Sequence, residues 1–365
     1  MQGMKGRREE EARMTSKERM IAALEHREAD RVPMRESFWE STLARWRKEG
    51  LPENADLGER FGLDPIHGTS IDWTLQFPTE TIEETDEYTI SRTNNGVMQK
   101  SFKGIAGVPL WWDFTLTDRG DWEELKPRMQ WNESRIDLPA AKAAYEANRE
   151  LFCVYTPACL GFEKFKYVMG MEGVLMAMGA DPAWAEEMFM STAQLAIDGL
   201  DYLMGQGLEF DAAFITEDMG YKGRSFFSPG MYREIVMPCQ KRFCDYCHAR
   251  GMKVLLHTCG NNMELVPLFI EAGFDVLNPL EVKAGMDIFE LKKDYGDALV
   301  LWGGIDVRAI AHPDPAVLEK EIAEKVTMAK QGGGYIFGSD HSIPDDVSLE
   351  RYDLMMQLAH KYGTF

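Results

Sequence analysis

The sequence lacks long apolar runs, a signal peptide and a high cysteine content. None of its 365 residues lies in an unbroken apolar stretch of about 18, the length that a transmembrane helix needs. The first 20 residues are charged and contain no apolar core, so no secretory signal is predicted. Six cysteines are too few for a disulfide scaffold in a chain of this length. These absences predict a cytoplasmic protein with no membrane partner.

Basic residues and nucleotide-binding motifs are also scarce. The chain has 40 Lys and Arg against 60 Asp and Glu, a net charge of −20. This excess of negative charge argues against nucleic acid as a partner. No Gly-x-Gly-x-x-Gly follows a predicted strand and no P-loop occurs, which argues against an open nucleotide-binding sheet.

Short apolar segments alternate with helical patterns along most of the chain. The predicted strands cover residues 31–38, 70–75, 151–156, 211–216, 254–256, 274–278, 298–302 and 335–338. Near-continuous apolar strands separated by helices are typical of parallel sheets. Eight such repeats favour an α/β fold of the (β/α)₈ TIM-barrel class. We therefore expect one barrel domain over residues 1–365, with residues 1–14 as a flexible tail.

Residues 76–135 break this alternation. Asn94-Asn95-Gly96 lies between two β-like segments and predicts an antiparallel hairpin. Tryptophans follow, including Trp111 and Trp112, in a region with few helix formers. We interpret the segment as an insertion over one end of the barrel, whose tryptophans either line a substrate pocket or simply pack the insertion.

Ionisable residues follow five successive predicted strands, and in a barrel these positions share the face that carries the active site. They are Glu217, Asp218, His257, Cys259, Glu281, Asp306, Asp340 and His341. Carboxylates also cap helices in such loops, so one or two need no functional explanation. From this set we predict catalytic roles for Asp306 and Asp340 and a substrate contact for Glu281.

His257 and Cys259 are two residues apart at the end of a predicted strand, so their side chains point the same way. The alternative is a buried cysteine beside a structural histidine. With His341, and with Glu217 or water as a fourth ligand, they would form a zinc site with one open position. Glu217 is predicted either to complete the coordination sphere or to move a proton.

The Cys-x-x-Cys-His sequence of Cys244, Cys247 and His248 matches the attachment motif of c-type haem. The three residues also share one face of a predicted helix. Because haem attachment occurs outside the cytoplasm, we predict that this cluster packs a helix.

Several segments of the chain resemble the uroporphyrinogen decarboxylase superfamily, a (β/α)₈ barrel group that includes zinc-dependent, corrinoid-linked methyltransferases. The similar segments are residues 15–19, 30–33, 257–261, 303–306 and 343–344. The decarboxylase branch uses an N-terminal arginine-rich segment, whereas residues 33–39 contain one arginine, an acid and Trp39. The methyltransferase branch uses His-x-Cys, matched by His257 and Cys259, and a distant Cys where this chain has His341.

The resemblance implies a zinc-dependent methyltransferase that works with a corrinoid (cobalamin) carried on a separate protein. Expected methyl donors are methoxylated aromatics, methylamines or similar small compounds, with Trp39, Trp111, Trp112 and Glu281 in contact with the donor. The tryptophan-rich insertion favours an aromatic ether, hence O-demethylation. The alternatives are a metal-free decarboxylase of the same superfamily and a catalytically silent barrel that acts as a binding subunit. A homodimer is left open.

Overall fold

The computed structural model describes residues 14–104 and 107–365. The predicted flexible tail therefore lies outside the described residues, except for Met14. Within the described ranges, no helix has both the length and the apolar composition needed to span a membrane.

Helices and short strands alternate over most of the chain. The helices are α1 (Ser16–Leu24), α2 (Glu40–Lys48), α3 (Leu57–Phe61), α4 (Arg119–Leu125), α5 (Leu138–Asn148), α6 (Phe162–Ala180), α7 (Pro182–Gly205), α8 (Pro229–Met231), α9 (Met237–His248), α10 (Val266–Ala272), α11 (Ile288–Tyr295), α12 (Val307–Ala311), α13 (Pro315–Ala329) and α14 (Leu349–Gly363). The strands are β1 (Ile66–Ser70), β2 (Glu80–Glu84), β3 (Tyr88–Arg92), β4 (Met98–Phe102), β5 (Leu110–Trp112), β6 (Phe152–Ala158), β7 (Ala212–Thr216), β8 (Gly220–Tyr221), β9 (Arg224–Ser225), β10 (Lys253–His257), β11 (Val276–Asn278), β12 (Val300–Trp302) and β13 (Tyr335–Ile336).

The chain divides into two compact units. Unit 1 contains the residues up to His67 together with Glu150–Phe152 and Asp275–Phe365, and unit 2 contains Gly68–Arg149 and Cys153–Phe274. Each unit has parallel strands alternating with helices, the pattern predicted from the sequence.

In unit 2, β6, β7 and β10 are parallel neighbours. β10 pairs with β7 from Lys253–Ala212 to His257–Thr216, so the two strands end at the same level. Val254, Leu255 and Leu256 are fully buried, as expected for a parallel strand covered on both faces. This register determines which residues meet beyond the strand ends.

The predicted antiparallel hairpin is confirmed, and it belongs to the four-stranded sheet β2–β3–β4–β5 of unit 2. Its turn residue Asn95 is buried and anchors the sheet to α6, since Asn95 Oδ1 accepts a hydrogen bond from Lys164 Nζ at 2.7 Å. Lys164 is also buried, and burial lowers the pKa of its ammonium group to about 7.

In unit 1, β11, β12 and β13 are parallel neighbours. The helices beside them enclose an aromatic cluster in which Trp46 and Phe61 each contact the ring of Tyr352, at centroid distances of 4.8 and 4.7 Å. All three side chains are buried, so this cluster supplies much of the apolar core on that side of the unit.

Two predicted strands differ from the structure. Residues 31–38 form only isolated bridges, antiparallel between Arg31 and Thr364 and parallel for Met34 with Phe337 and Phe38 with Ile343. Pro33 has no N–H to donate to a continuous ladder. The strand predicted at 70–75 lies instead at Ile66–Ser70. The segment after Ser70 turns, with Asp72 Oδ1 accepting a hydrogen bond from the Thr74 N–H at 2.9 Å.

The Cys-x-x-Cys-His segment lies on α9, as predicted. The thiols of Cys244 and Cys247 are fully buried, whereas His248 is exposed at the end of the helix. The two cysteines therefore act as small apolar residues that pack α9 into unit 2.

Candidate functional site

The ends of β7 and β10 bring three metal-ligating side chains together in unit 2. Asp218 follows β7, while His257 ends β10 and Cys259 follows it. One ligand atom from each of the three residues lies within 4.8 Å of the others. His257 and Cys259, paired in the sequence prediction, do converge, and Asp218 joins them.

The distances within this triad suit a single small cation. Cys259 Sγ is 3.5 Å from His257 Nε2, and His257 Nε2 is 4.0 Å from Asp218 Oδ1. All three side chains are half-buried, so the site is open on one side. Imidazole, thiolate and carboxylate are all zinc ligands, and three protein ligands with an open fourth position are typical of catalytic zinc. The donor set therefore fits zinc.

The loop that carries Cys259 is held by backbone contacts. Cys259 N–H donates to Asp218 Oδ1 at 2.9 Å, and the buried Asn262 Nδ2 donates to the Cys259 carbonyl at 2.9 Å. Gly260 has φ +82, and a Cβ there would lie 2.2 Å from the Gly220 carbonyl carbon. Only glycine fits this position, which brings the Cys259 loop against the segment after Asp218.

Glu217, next to Asp218, has different surroundings. Its carboxylate is fully buried and accepts hydrogen bonds from the Leu160 N–H at 2.9 Å and the Glu163 N–H at 2.8 Å. The Glu163 N–H lies in the first turn of α6, whose first N–H groups need acceptors, and the Leu160 N–H lies in the segment just before the helix. Burial raises the pKa of Glu217 well above its usual range. Its predicted catalytic or ligand role stays a prediction.

Three residues of α6 and two tryptophans form a polar and aromatic group in unit 2. Tyr167 contacts Trp111 edge-on at 5.3 Å and Trp73 at 6.0 Å. Lys166 Nζ lies 2.6 Å from Glu163 Oε2. Burial raises the pKa of Glu163, and the charge of Asp218 adds to this effect. Asp218 therefore lies within electrostatic range of this polar and aromatic group.

Trp111 and Trp112 occupy opposite faces of β5. Trp111 is half-buried, donates its Nε1–H to Gln99 Oε1 at 3.1 Å and contacts Tyr167. Trp112 is 39% exposed. Of these two tryptophans, Trp111 thus belongs to the group around Tyr167, whose pKa the charge of Asp218 helps to raise.

Two carboxylates predicted to be catalytic lie in unit 1 and hold loops there. Asp340 is buried and accepts hydrogen bonds from the N–H groups of Val282 and Val307, both at 3.0 Å. Burial raises its pKa. Asp306 caps α12 and pairs with Arg308. Burial alone would raise the pKa of Asp306, but the hydrogen bonds and charge of Arg308 lower it.

The other predicted site residues of unit 1 are His341, Trp39 and Glu281. The rings of Trp39 and His341 are stacked, with centroids 6.1 Å apart and an interplanar angle of 22°. Glu281 Oε1 lies 3.4 Å from Lys283 Nζ. The roles predicted for these three residues, zinc ligation by His341 included, stay predictions.

Two residues that the structure places at the site have no assigned role in the sequence prediction. The strand-end pattern includes Asp218, but it favours Glu217 as the ligand. Because successive side chains alternate in direction on extended chain, only one of the two can face the His257 side. Tyr167 has no signal in the sequence, since α6 is not predicted there.

Comparison with known proteins gives the family and the fold. The sequence profile of the uroporphyrinogen decarboxylase (URO-D) family matches residues 161–362. The uroporphyrinogen decarboxylases of Pectobacterium atrosepticum and Pectobacterium carotovorum subsp. carotovorum are each 26% identical over 186 residues, 50% of this chain and 50% of the relative. The chain thus spans about half the length of the curated relatives that it matches.

A solved structure is similar over almost the whole chain. It is described as a methyltransferase from Methanosarcina mazei, with a TM-score of 0.62 and 15% identity, and the match covers 96% of this chain and 99% of that one. This likeness confirms the predicted fold class, an α/β fold of the TIM-barrel type with an antiparallel sheet. Since the family profile covers more than half of the residues, the chain belongs to the uroporphyrinogen decarboxylase (URO-D) family.

Proposed function

We propose that the protein is a zinc-dependent methyltransferase that moves a methyl group between a small methyl donor and a corrinoid carried by a separate protein. The convergence of Asp218, His257 and Cys259 supports this proposal most directly. A fold similar to that of a protein described as a methyltransferase adds support.

Asp218, His257 and Cys259 would hold the zinc ion. Bound zinc acts as a Lewis acid, here on the oxygen or nitrogen that carries the methyl group. Asp218 Oδ1 also accepts the Cys259 N–H, which fixes the thiolate relative to the carboxylate. His341 is retained from the sequence as a candidate further ligand.

The aromatic group within electrostatic range of Asp218 suits an aromatic donor. Trp73, Trp111 and Tyr167 offer large apolar rings with few rotatable bonds. Burial, with the neighbouring carboxylate of Glu163, raises the pKa of Tyr167, so its hydroxyl keeps its proton at neutral pH. A methoxylated aromatic is therefore the favoured donor, with methylamines as the alternative.

Zinc content tests the metal part of the proposal. The wild-type protein should contain one zinc per chain, and Asp218→Asn, His257→Ala and Cys259→Ser should each lower its affinity by more than the roughly 10–100-fold typical of lost outer-shell partners. His312→Ala, an exposed histidine in unit 1, is the matched control. Elemental analysis after dialysis makes the measurement. Full zinc content in all three triad variants would contradict the assignment.

Transfer of a labelled methyl group tests the reaction. The zinc-loaded protein, reduced cobalamin and a panel of methylated ethers, amines and thioethers should give labelled cobalamin with at least one donor. A zinc chelator should abolish the transfer, since the donor atom then lacks its Lewis acid. Transfer that persists with the chelator would support the methyltransferase activity but contradict the proposed role of zinc.

A metal-free decarboxylase is the second candidate, because the curated relatives are uroporphyrinogen decarboxylases. Residues 33–39 offer a single arginine for the carboxylates of such a substrate, which is why we place this candidate second. Release of CO₂ from uroporphyrinogen by the zinc-free protein, without methyl transfer from any donor, would reverse the order.

A further inference from the structure

A positively charged side chain is enclosed in unit 2, in the first turn of α6. Lys164 is 1% exposed. Its ammonium group donates one hydrogen bond, to Asn95 Oδ1 at 2.7 Å, and lies 4.7 Å from the ring centroid of Trp73. Within the part of the chain that the structure describes, no further acceptor and no carboxylate oxygen contacts the ammonium. Two of its three N–H groups therefore have no acceptor from the protein.

Lys164 differs in this respect from the other buried cations among the described residues. Arg19 and Lys325 each pair with a carboxylate. Arg135 donates to four backbone carbonyls. In those three cases the protein supplies the acceptors that a buried charge needs. Lys164 alone among the four keeps donors without acceptors, which points to a ligand.

The ammonium group lines a cavity with about 220 Å³ of empty space. Apolar side chains form most of its wall, namely those of Ile71, Trp73, Met129, Pro157, Leu195 and Ala196. The remaining lining residues are Thr192, whose hydroxyl donates to the Phe189 carbonyl at 2.6 Å, and Cys159, whose thiol pKa is raised by burial. Lys164 is thus the one positive charge in a largely apolar wall, which suits an anionic group on an apolar ligand.

Trp73 belongs both to this cavity and to the aromatic group of unit 2. It lines the cavity and contacts Tyr167 at a centroid distance of 6.0 Å, and Tyr167 lies within electrostatic range of Asp218. The cavity is smaller than the roughly 300–1,000 Å³ of sites that enclose a whole small ligand. It therefore suits one end of a molecule whose ring packs against Trp73 and Tyr167.

We propose that the methyl donor is an aromatic carboxylate and that Lys164 binds its carboxylate group. The carboxylate occupies the cavity, the ring packs against Trp73 and Tyr167, and the methoxy group faces the triad. A hydrogen bond between an ammonium and a carboxylate is stronger than one between neutral groups, and a buried site strengthens it further. The inference rests on the proposed function, because it narrows the methoxylated aromatic to one that carries a negative charge.

An ordered water molecule is the alternative occupant of the cavity. Water would accept hydrogen bonds from the ammonium of Lys164, as buried waters do for other polar groups. It would leave the buried charge without a counter-charge, whereas a carboxylate supplies acceptors and the opposite charge together. The carboxylate is favoured for this reason. A neutral ligand of the same shape separates the two cases.

Matched methoxybenzoates and methoxybenzamides test the inference, since the amide keeps the shape of the carboxylate and lacks its charge. Titration calorimetry of the zinc-loaded full-length protein should give a Kd roughly tenfold lower for at least one methoxybenzoate than for its amide. Lys164→Met should bind the two equally, at the level of the amide. Lys241→Met, which replaces an exposed lysine of unit 2, should keep the preference and serves as the matched control.

Proton uptake gives a second readout. Burial lowers the pKa of Lys164 to about 7, and a bound carboxylate would raise it again. Binding of the benzoate at about pH 8 should therefore take up about one proton, and the affinity should fall as the pH rises above about 7. Calorimetry in buffers of different ionisation enthalpy measures the uptake.

The other charged or titratable groups that act on Lys164 are Cys159, Arg135 and Asp72. All three remain in Lys164→Met, which should take up no proton. The two wild-type measurements need no variant, so poor folding of Lys164→Met would not affect them. Equal wild-type affinities for benzoate and amide, as expected for a cavity that holds only water, would overturn the role of Lys164. Proton uptake that persists in Lys164→Met would overturn it too.

In both of these outcomes, labelled methyl transfer from an uncharged ether would leave the proposed function standing. Failure to bind any methoxylated benzoate or benzamide, together with no labelled methyl transfer from any donor, would overturn the proposed function as well.

Discussion

Replacing Glu217 by glutamine separates a structural role of this carboxylate from the acid–base or ligand role that the sequence suggests. Both carboxylate oxygens accept backbone N–H groups, from Leu160 just before α6 and from Glu163 in its first turn. Glutamine has the same shape, but its amide has one acceptor, so one N–H would face the new NH₂ group. A lost hydrogen bond to a charged group and a buried donor without a partner each cost about 1–3 kcal/mol.

The expected loss in the free energy of unfolding is about 2–4 kcal/mol, because relief from burying a charge offsets part of the two terms. For a folding unit of about 200 residues this lowers the melting temperature by about 5–15 °C. The assay is thermal unfolding of wild type and Glu217→Gln, each with its zinc content measured. Glu172→Gln, an exposed glutamate of α6, should melt like the wild type.

The zinc content of Glu217→Gln should equal that of the wild type, since the triad uses Asp218. A variant with a wild-type melting temperature and methyl transfer reduced roughly 100-fold, the effect of a lost acid–base group, would refute the structural role. It would instead support a catalytic role for Glu217.

Two further predictions concern unit 1 and the donor pocket. Burial raises the pKa of Glu36 from 4.5 to about 8, so its pKa in the folded state lies above its pKa in the unfolded state. The free energy of unfolding should therefore fall as the pH rises from about 4.5 to about 8, by up to about 1.4 kcal/mol per pH unit. Urea unfolding across this range should show the slope in the wild type but not in Glu36→Gln, and equal slopes would contradict the shift. Trp111→Ala should raise the KM for an aromatic donor roughly tenfold through lost apolar contact, whereas Trp112→Ala should change it little. Steady-state kinetics with both variants measure the two KM values. Equal changes in KM would contradict the proposal that Trp111 contacts the donor.

Much of the fold follows from local signals in the sequence. The helix α7 begins at Asp181 and Pro182 as predicted. The Asp181 side chain caps the helix and Pro182 suits the first turn, and both preferences can be read from neighbouring residues in the sequence. Asn94-Asn95-Gly96 predicts the hairpin for an equally local reason. By contrast, the sequence does not predict α6. This helix contains a non-helical glycine, Gly170 with φ 77, and such interruptions weaken a helical pattern.

In the candidate site, too, contacts between neighbours in the sequence can be predicted, whereas contacts made by tertiary packing cannot. His257 and Cys259 can be paired from the sequence because they are two residues apart on one strand end. Asp218 cannot be chosen over Glu217 in this way, since the choice depends on the beginning of α6 and the segment before it, whose N–H groups bind the Glu217 carboxylate. The neighbours Trp73 and Tyr167 depend on tertiary packing and have no sequence signature.

The division of unit 1 into separate chain segments has a consequence for synthesis in the cell. Met34 bridges to Phe337, and the Arg35 N–H donates to the Phe337 carbonyl, which belongs to the segment that begins at Asp275. At about 5–20 residues per second, the roughly 300 residues between Arg35 and Phe337 take about 15–60 s to translate. During that time the buried ion pairs of Asp64 with Arg19 and Arg31 can form, but the apolar partners of Met34 do not yet exist. The N-terminal segment of unit 1 therefore completes its packing only after the C-terminal segment has been made.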